Sequence, residues 1–534
     1  MAQMRSRREQ VEAHKFITSR MNQALVLANP DSIERPLRRI GVSIFASVMV
    51  LALIFGGFAI ATLFGKGNAE PVVGNIITIK GSNAVYVYIT QNGEEHHPTD
   101  NPARLWQVTN YTSALLLAKP GSTGMPEVQD LKPSSLAGVP RGSFTIGIQG
   151  IPSQPPDKSE LLQKINWNVC SMPREDGGTD DYQLTQLVVE DMEQPSEWLS
   201  DDKWILAKTT VKPQSDEVPK YYLLWNGARY PIEDTEEYPA ATLIDDLGLL
   251  ASDAMTLNAS MINTIPPASP MAPEDRTEFG TASQVAAAGG GTITYGVPVE
   301  SSGEKYVLIN ENGADTFARI SDTMAKLLEK HNGATQQVDP TTVSDLGSQA
   351  AYEHKNYPKE DLSENPWTSQ SKRPAVCAVY DPRAQNDEST VIKVAMYEAA
   401  PKTLTDNAKA VEVLKDGTIF SDVEGLQAQT VLPQGTAALV DSRTDRGATI
   451  SGITYMVSDQ GVRHGISDDG KTDTTQTMLG YAGVDPVSVP DTMIHLIPKG
   501  PDLDPFEAKK QMTSNAEDVP VFETAPAEEE GAGG

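Results

Sequence analysis

Twenty-five consecutive residues, Ile40 to Phe64, read IGVSIFASVMVLALIFGGFAIATLF without one charge. A bilayer core of about 30 Å is crossed by roughly 20 apolar residues in a helix. The run therefore predicts a single transmembrane helix, with a modest tilt absorbing the excess. Arg35, Arg38 and Arg39 precede it and only Lys66 closely follows, so the positive-inside rule puts the N-terminus in the cytoplasm and everything after Lys66 outside. A cleaved signal peptide is the competing reading, but its apolar core is about 7–15 residues long and lies near the N-terminus. Gly56 and Gly57 would permit close helix contact, although no GxxxG spacing accompanies them.

The 534 residues exceed one compact domain and predict several modules. Residues 1–39 hold eight Lys or Arg and four Asp or Glu, a net of +4, so of the total of −29 the remainder carries −33. A region that acidic does not suit nucleic acid. The two cysteines, Cys170 and Cys377, fall on the predicted outer side, where a disulfide persists; two free core thiols are the alternative.

Upstream of the apolar run, REQVEAHKFITSRMNQALVLANP sets Ala13, Phe16, Ile17, Met21, Ala24, Leu25 and Ala28 at helical spacing, with Arg8, Glu12, Lys15 and Arg20 outside that set. This predicts an amphipathic helix closed by Asn29 and Pro30. An isolated helix of this length is marginal in water, so its stripe should dock on something. A protein partner fits better than a membrane surface because acids are interleaved with the bases. The segment REQVEAHKFITSRMNQALV, followed by PLRR and the apolar run, resembles the N-terminus of the EccB family, single-pass membrane components of actinobacterial type VII secretion systems. That family usually has an aromatic residue where this chain has His14.

Beyond the linker GKGNAEPVV one pattern recurs: an aromatic and β-branched run, a turn at Asn-Gly or a close variant, then a helix-compatible stretch. Its turns fall at Asn92-Gly93, Asn226-Gly227, Asn312-Gly313 and Gln460-Gly461, in four copies near residues 85–118, 221–250, 305–330 and 454–500. Each copy predicts a β-hairpin whose turn accepts positive φ, covered by a helix because a hairpin alone is marginal. The fold class is therefore α+β, and repeated small modules present extended binding or assembly surfaces. Turn spacings of 227 − 93 = 134 and 461 − 313 = 148 residues suggest two roughly equivalent halves, divided by a Pro- and small-residue-rich loop or linker from Pro266 to Gly291. Cys170 in NWNVCSM and Cys377 in RPAVCAVYD lie in strand-like runs between the repeats of each half, which predicts that they pair and staple the halves through a central domain. Closing 377 − 170 = 207 residues would add roughly 5 kcal/mol at most in the chain-entropy account.

GIQGIPSQPP at 147–156, VLPQGTAALV at 431–440, YMVSDQGVRHGI and VDPVSVPDTMIHLIPKGPDLDP are similar to EccB segments in the same order, so the matched pieces span residues 8–505. The resemblance implies a cytoplasmic helix (1–39), a membrane helix (40–64) and a rod-like extracytoplasmic region (65–512) with a central β-rich domain flanked by four repeat domains. The tail from 513 to 534 combines acids, Pro and Gly with few apolar residues, a composition that predicts disorder.

GISDDGKT satisfies the P-loop spelling GxxxxGK(S/T), making Gly465, Gly470, Lys471 and Thr472 a candidate nucleotide site between strand-like TYMVS and helix-compatible TTQTMLGYAG. Against it, Asp468 and Asp469 would repel phosphate, the string falls in a hairpin repeat rather than a βαβ unit, and ATP is scarce outside the membrane. Asp441, which ends the apolar run AALVD, resembles a magnesium-site aspartate. Glu94 to His97, EEHH, offers ligand types, but neighbours past a hairpin turn point apart. His464 and His495 lack ligand spacing, DDGKTD lacks the EF-hand pattern, and no GxSxG or HExxH occurs. No catalytic, metal or cofactor site is expected.

The chain therefore reads as a structural membrane subunit of a type VII secretion machine, associating with copies of itself outside the plasma membrane of an actinobacterium. The resemblance implies as partners an EccC-like FtsK-type ATPase, an EccD-like multi-span protein, an EccE-like subunit and a mycosin protease. An ATPase using ATP and Mg at the P-loop-like string is the alternative, kept open because some EccB proteins are described as ATPases; a cell-wall receptor is a third reading.

Overall fold

Helical spacing near the N-terminus gives α1 (Arg7–Leu27), and the uncharged run gives α2 (Pro36–Phe64). In this computed structural model the described residues are 7–27, 36–64, 69–90, 102–173, 183–211, 216–236, 238–349, 357–358, 362, 375–384, 392–408, 428–443, 449–466 and 474–510. The chain divides into two compact units: Met1–Val72 with Ile79–Ser82 and Asp130–Val139, and Val73–Thr78 with Asn83–Gln129 and Pro140–Gly534.

The β-rich part follows the alternation of aromatic and β-branched residues. A first sheet takes β1 (Ile76–Ile79), β2 (Val85–Ile89), β3 (Arg104–Val108), then α3 (Tyr111–Leu117), β4 (Val128–Leu131) and β5 (Arg141–Ile146), in the order β4-β1-β2-β3-β5. β6 (Trp167–Pro173), β7 (Gln183–Val189) and β8 (Glu197–Trp198) begin a central sheet. A second small sheet takes β9 (Ile205–Thr209), β10 (Tyr221–Trp225), β11 (Ala228–Ile232), α4 (Ala240–Asp246), β12 (Met255–Leu257) and α5 (Ala259–Thr264). After a hairpin, β13 (Ala282–Ala286) and β14 (Thr292–Thr294), comes a third: β15 (Pro298–Ser301), β16 (Glu304–Glu311), β17 (Ala314–Arg319), α6 (Asp322–Asn332), β18 (Gln336–Gln337), α7 (Pro340–Leu346) and β19 (Ser348–Gln349).

β20 (Ala375–Tyr380), β21 (Ile392–Tyr397), α8 (Lys402–Ala408) and β22 (Gln429–Val431) return to the central sheet, whose order is β22-β7-β6-β20-β21-β8. The fourth small sheet takes β23 (Ala437–Arg443), β24 (Thr449–Ser458), β25 (Arg463–Ile466), α9 (Thr474–Met478), β26 (Val487–Pro490), α10 (Asp491–Ile494) and α11 (Pro505–Ala508).

The small sheets share one plan. After the antiparallel strands and a helix, a strand returns parallel to the first, as β12 on β9, β18 on β15 and β26 on β23. A second helical turn then leads the chain parallel along the third strand, as β5 on β3 and β19 on β17, or as single bridges of Arg229 with Pro267 and Arg463 with Lys499. Asn226-Gly227 (φ 47° and 67°) and Asn312-Gly313 (φ 52° and 87°) make the positive-φ hairpin turns that their sequence predicts. Gly461 also has positive φ, 73°. The predicted turn at Asn92-Gly93 lies outside the described residues. The strand that pairs with β2 is RLWQV, β3: Leu105, Trp106 and Val108 are buried, and Leu105 and Trp106 stand opposite Tyr88 and Val87.

Both faces of the small sheets are apolar, which decides how they stack. Leu224, Leu257, Met261 and Ile262 of the second sheet and Val440, Val457, Val489 and Met493 of the fourth share one core with Val169, Leu187, Val376 and Val394 of the central sheet. Opposite faces pair the first sheet with the fourth (Val87, Trp106 and Leu115 with Leu439, Met456 and Tyr481) and the second with the third (Leu223 and Leu243 with Val307 and Leu328). This replaces the expected division into two successive halves, because turn spacing carries no information about which faces meet. The expected linker Pro266–Gly291 is also structured: Met271 is buried, its N–H bonds to the Pro231 carbonyl, and β13 and β14 place Val285 and Ile293 over Val299, Leu308 and Phe317 of the third sheet.

Cys170 and Cys377, register partners on β6 and β20, form a disulfide. It closes a loop that contains the second and third small sheets. On β5, a Cβ added at Gly142 would lie 2.1 Å from the buried Trp106 ring, whereas one at Gly289 would meet nothing within 4 Å. Gly142→Ala should therefore cost about 1–3 kcal/mol by overpacking, lowering the urea midpoint, and Gly289→Ala should leave the midpoint nearly unchanged; equal midpoints for the two variants would refute the tight fit.

Candidate assembly surfaces

On α1 the predicted stripe stands open. Phe16, Ile17, Met21 and Leu25 are 61, 59, 61 and 80% exposed, joined by Val11 at 54%. Ala13 is exposed and Ala24 half-buried, while Ala28 lies outside the described residues. An apolar face of this extent in water costs free energy in proportion to its area, so it marks an interaction surface. α2 is one helix of 29 residues, with side chains described from Gly41 to Phe55. Among the described residues no helix is long and apolar enough to cross a membrane.

Polar contacts fix the pairing of the small sheets. The Gly- and Pro-rich stretch at 147–156 ties the first sheet to the fourth. Tyr481, fully buried, donates its hydroxyl to the Pro156 carbonyl at 2.9 Å, Lys158 Nζ reaches the Ala482 carbonyl at 2.7 Å, and Gly147 N–H reaches the Lys510 carbonyl at 3.3 Å. Burial pushes the Tyr481 phenol well above its ordinary range. Between the second and third sheets, the Tyr238 hydroxyl lies 3.0 Å from His331 Nε2. Tyr357, which follows the third sheet in sequence, packs edge-on against Tyr230 at 6.1 Å and donates its hydroxyl to the Pro270 carbonyl.

The P-loop-like string begins in an unsuitable frame. Gly465 sits on β25, antiparallel to β24 opposite Tyr455, and its carbonyl accepts the Leu503 N–H at 2.6 Å. A Cβ there would lie 2.6 Å from an Asp502 carboxylate oxygen, so this glycine makes room for an anionic side chain. Gly470, Lys471 and Thr472 lie outside the described residues, as do Asp468, Asp469 and Glu94 to His97. Asp441 accepts a hydrogen bond from Thr454 Oγ1 at 2.8 Å, and burial raises its carboxyl above the ordinary value. β24 separates it from Gly465. His495 is exposed beside Asp491, Nδ1 to Oδ2 3.1 Å. His464 is 0% exposed, with Nδ1 2.8 Å from the Pro501 carbonyl and Nε2 without a hydrogen-bond partner. Among the described residues no group of three or more His, Cys, Asp or Glu is arranged to hold a metal.

The family described as "Type VII secretion system ESX-1, transport TM domain B" (EccB) matches residues 3–515. The chain belongs to the EccB family. Its fold is similar to that of a chain in an intact ESX-5 inner membrane complex, with a TM-score of 0.59 and 20% identity over 99% of both chains. It is also similar to a chain of the periplasmic assembly from that ESX-5 complex (TM-score 0.56, 20% identity, 84% of this chain and 97% of that one). A third similar structure is an EccB3 dimer from the ESX-3 core complex (0.56, 19%, 81% and 99%). No curated protein matches the sequence.

In this EccB chain the hairpin pattern and the helix after it are readable, as at α4 and α6, whereas the parallel returns that follow need a further signal. LKPSSLAGVP (131–140), LNASMINTIP (257–266), VDPTTVSDLG (338–347) and VPDTMIHLIP (489–498) align without gaps, with aliphatic residues first, sixth and ninth and Pro or Gly last. The final carbonyl of each accepts a third-strand N–H: Pro140 from Leu105 (2.8 Å), Pro266 from Arg229 (2.9 Å), Gly347 from Phe317 (3.2 Å) and Pro498 from Arg463 (2.9 Å). That shared decapeptide builds the parallel return.

Burial holds His464 below its ordinary value of 6.5, opposed by its bond to the Pro501 carbonyl and by Asp502. Because the folded state favours the neutral ring, its contribution is fully present above the unfolded value of about 6.5 and is lost as pH falls below it. His464→Gln should therefore show a shallower loss of unfolding midpoint between about pH 7 and pH 5 than the parent; identical slopes would assign the acid loss to other groups.

Proposed function

We propose that this chain is the membrane-anchored structural subunit of a type VII secretion complex, stabilising the translocation machine without chemistry of its own. The observation that carries the reading is the EccB match over residues 3–515. Residues 40–64 form the anchor, as supported by their lack of charge and by the unbroken backbone helix Pro36–Phe64. Charge flanking the anchor puts α1 in the cytoplasm and the sheets outside. There, Phe16, Ile17, Met21 and Leu25 dock on partner subunits: an EccC-like ATPase, which supplies hydrolysis, and EccD-like and EccE-like proteins. The four small sheets are four copies of one repeat domain around the central domain, a reading supported by the shared strand plan and decapeptide. They associate with further copies outside, near a mycosin protease; the ESX-3 relative, similar in fold, is itself a dimer. The antiparallel setting of Gly465 and the nearby Asp502 carboxylate favour a subunit that works without ATP or Mg.

Purification of the tagged full-length chain from native membranes in mild detergent, with mass spectrometry of what accompanies it, tests this directly. Stoichiometric recovery of an FtsK-like ATPase and a multi-span protein is expected, and recovery of the folded chain alone would overturn the scaffold reading. Phe16→Asp should abolish that co-purification while the chain keeps its unfolding midpoint and its disulfide. Lys471→Ala should change neither; heat of ATP binding that disappears in this variant would establish the ATPase alternative.

A further inference from the structure

Cys170 and Cys377 are 0% exposed and share a face of the central sheet with Met172, Leu184, Val188, Val379, Tyr397 and Leu404. They are the chain's two cysteines. A sequence separation of 207 residues divides them, and it contains the second and third small sheets in full. β6 cannot gain β20 as its neighbour until all of that chain has been made. A disulfide arises when a thiolate attacks the sulfur of another disulfide. A thiol enclosed by apolar side chains is out of reach of such a donor and is poorly ionised. The completed sheet therefore withholds both conditions for making the bond it contains.

We propose that the Cys170–Cys377 bond is introduced before the central sheet closes, by a disulfide-donating thiol oxidoreductase on the outer side of the membrane, and that this chain is a substrate of that reaction. One cysteine thiolate attacks the donor's disulfide, displaces a donor thiolate and leaves a mixed disulfide. The second cysteine thiolate attacks the chain's sulfur in that mixed disulfide, forming the Cys170–Cys377 bond and releasing the donor as a dithiol. The chain loses two thiol protons and two electrons, and the donor's disulfide takes up the electrons. With one possible pairing, no isomerase step follows. The outer location of the donor rests on the membrane topology proposed above; the order of bonding and burial does not.

Two experiments separate these parts. Full-length chain is unfolded and reduced in guanidinium, then diluted into mild detergent with glutathione disulfide present either from the start or only after refolding, and alkylation shift on gels follows the free thiols. Oxidation should be at least about tenfold slower when the disulfide is added late; equal rates would overturn the order. In cells, depletion of the outer-side disulfide-introducing oxidoreductase should accumulate the dithiol chain, whereas loss of a disulfide isomerase should not. Full oxidation despite that depletion would overturn the donor. A dithiol chain in unperturbed cells would instead overturn the outer placement of these residues, with the refolding result still deciding the order. Cys377→Ser, with one thiol, calibrates the shift in both experiments.

Discussion

A strand points successive side chains to opposite faces, and in this chain both faces need cover. On β10, Leu223 and Leu224 are neighbours and each is 0% exposed, yet one belongs to the core shared with the third sheet and the other to the core shared with the central sheet. On β23, Leu439 and Val440 divide in the same way between the first sheet and the central one. Each such side chain contributes about 1.5–3 kcal/mol when enclosed, and a four- or five-stranded sheet with short helices cannot enclose two faces by itself. Stacking is thus a condition of folding for every small sheet. The hairpin β13–β14 meets the same need for the third sheet, where Val285 and Ile293 share a core with Leu308 and Phe317.

That demand explains the order in which the chain runs. It builds the first sheet, starts the central one, leaves to make the second and third, returns to finish the central sheet, and ends on the fourth. Nested in this way, sequence neighbours two and three stack on each other, while one and four, far apart in sequence, share a core. The contacts that close the nest are long in sequence, so their loop entropy must be met before burial rewards it. The disulfide acts on that difficulty: in the chain-entropy account it removes up to about 5 kcal/mol of freedom from the unfolded chain, joining the strand on which the chain first enters the central sheet to the one on which it returns.

Local signals in the sequence were legible to the extent that local chemistry determines them. The stripe of α1, the backbone of α2 and the turns at Asn226-Gly227 and Asn312-Gly313 depend on residues close in sequence, and so did the strand character around both cysteines. The strands β12, β18 and β26 leave no such mark of their own, because they are two to four residues long and derive their order from a distant partner; only the decapeptide that runs on from the end of each is visible by comparing the repeats. Composition misled at Pro266–Gly291: the prolines and alanines resemble a linker, yet Met271, Val285 and Ile293 are the few side chains that a thin cover needs. The P-loop spelling is ambiguous for a related reason. Glycine at 465 answers a steric demand from Asp502, and the spelling cannot distinguish that from room for a phosphate.

What remains outward-facing then bears on assembly. The large apolar side chains left exposed among the described residues concentrate on α1 and α2, with isolated examples such as Val218, Leu250 and Phe506 elsewhere. Stacking has consumed the apolar faces of the sheets, so the hydrophobic drive for joining other subunits is concentrated in the two helices. The sheets instead offer a surface that belongs to a chain segment with a net charge of −33, the total of −29 less the +4 of residues 1–39. Charges of like sign on two copies repel, but ionic strength near physiological screens them beyond about 8 Å. Copies that associate through such surfaces must do so by close, shape-matched contact rather than by attraction at a distance. If the proposed anchor holds copies side by side, they would reach that contact at a local concentration that free diffusion would not supply.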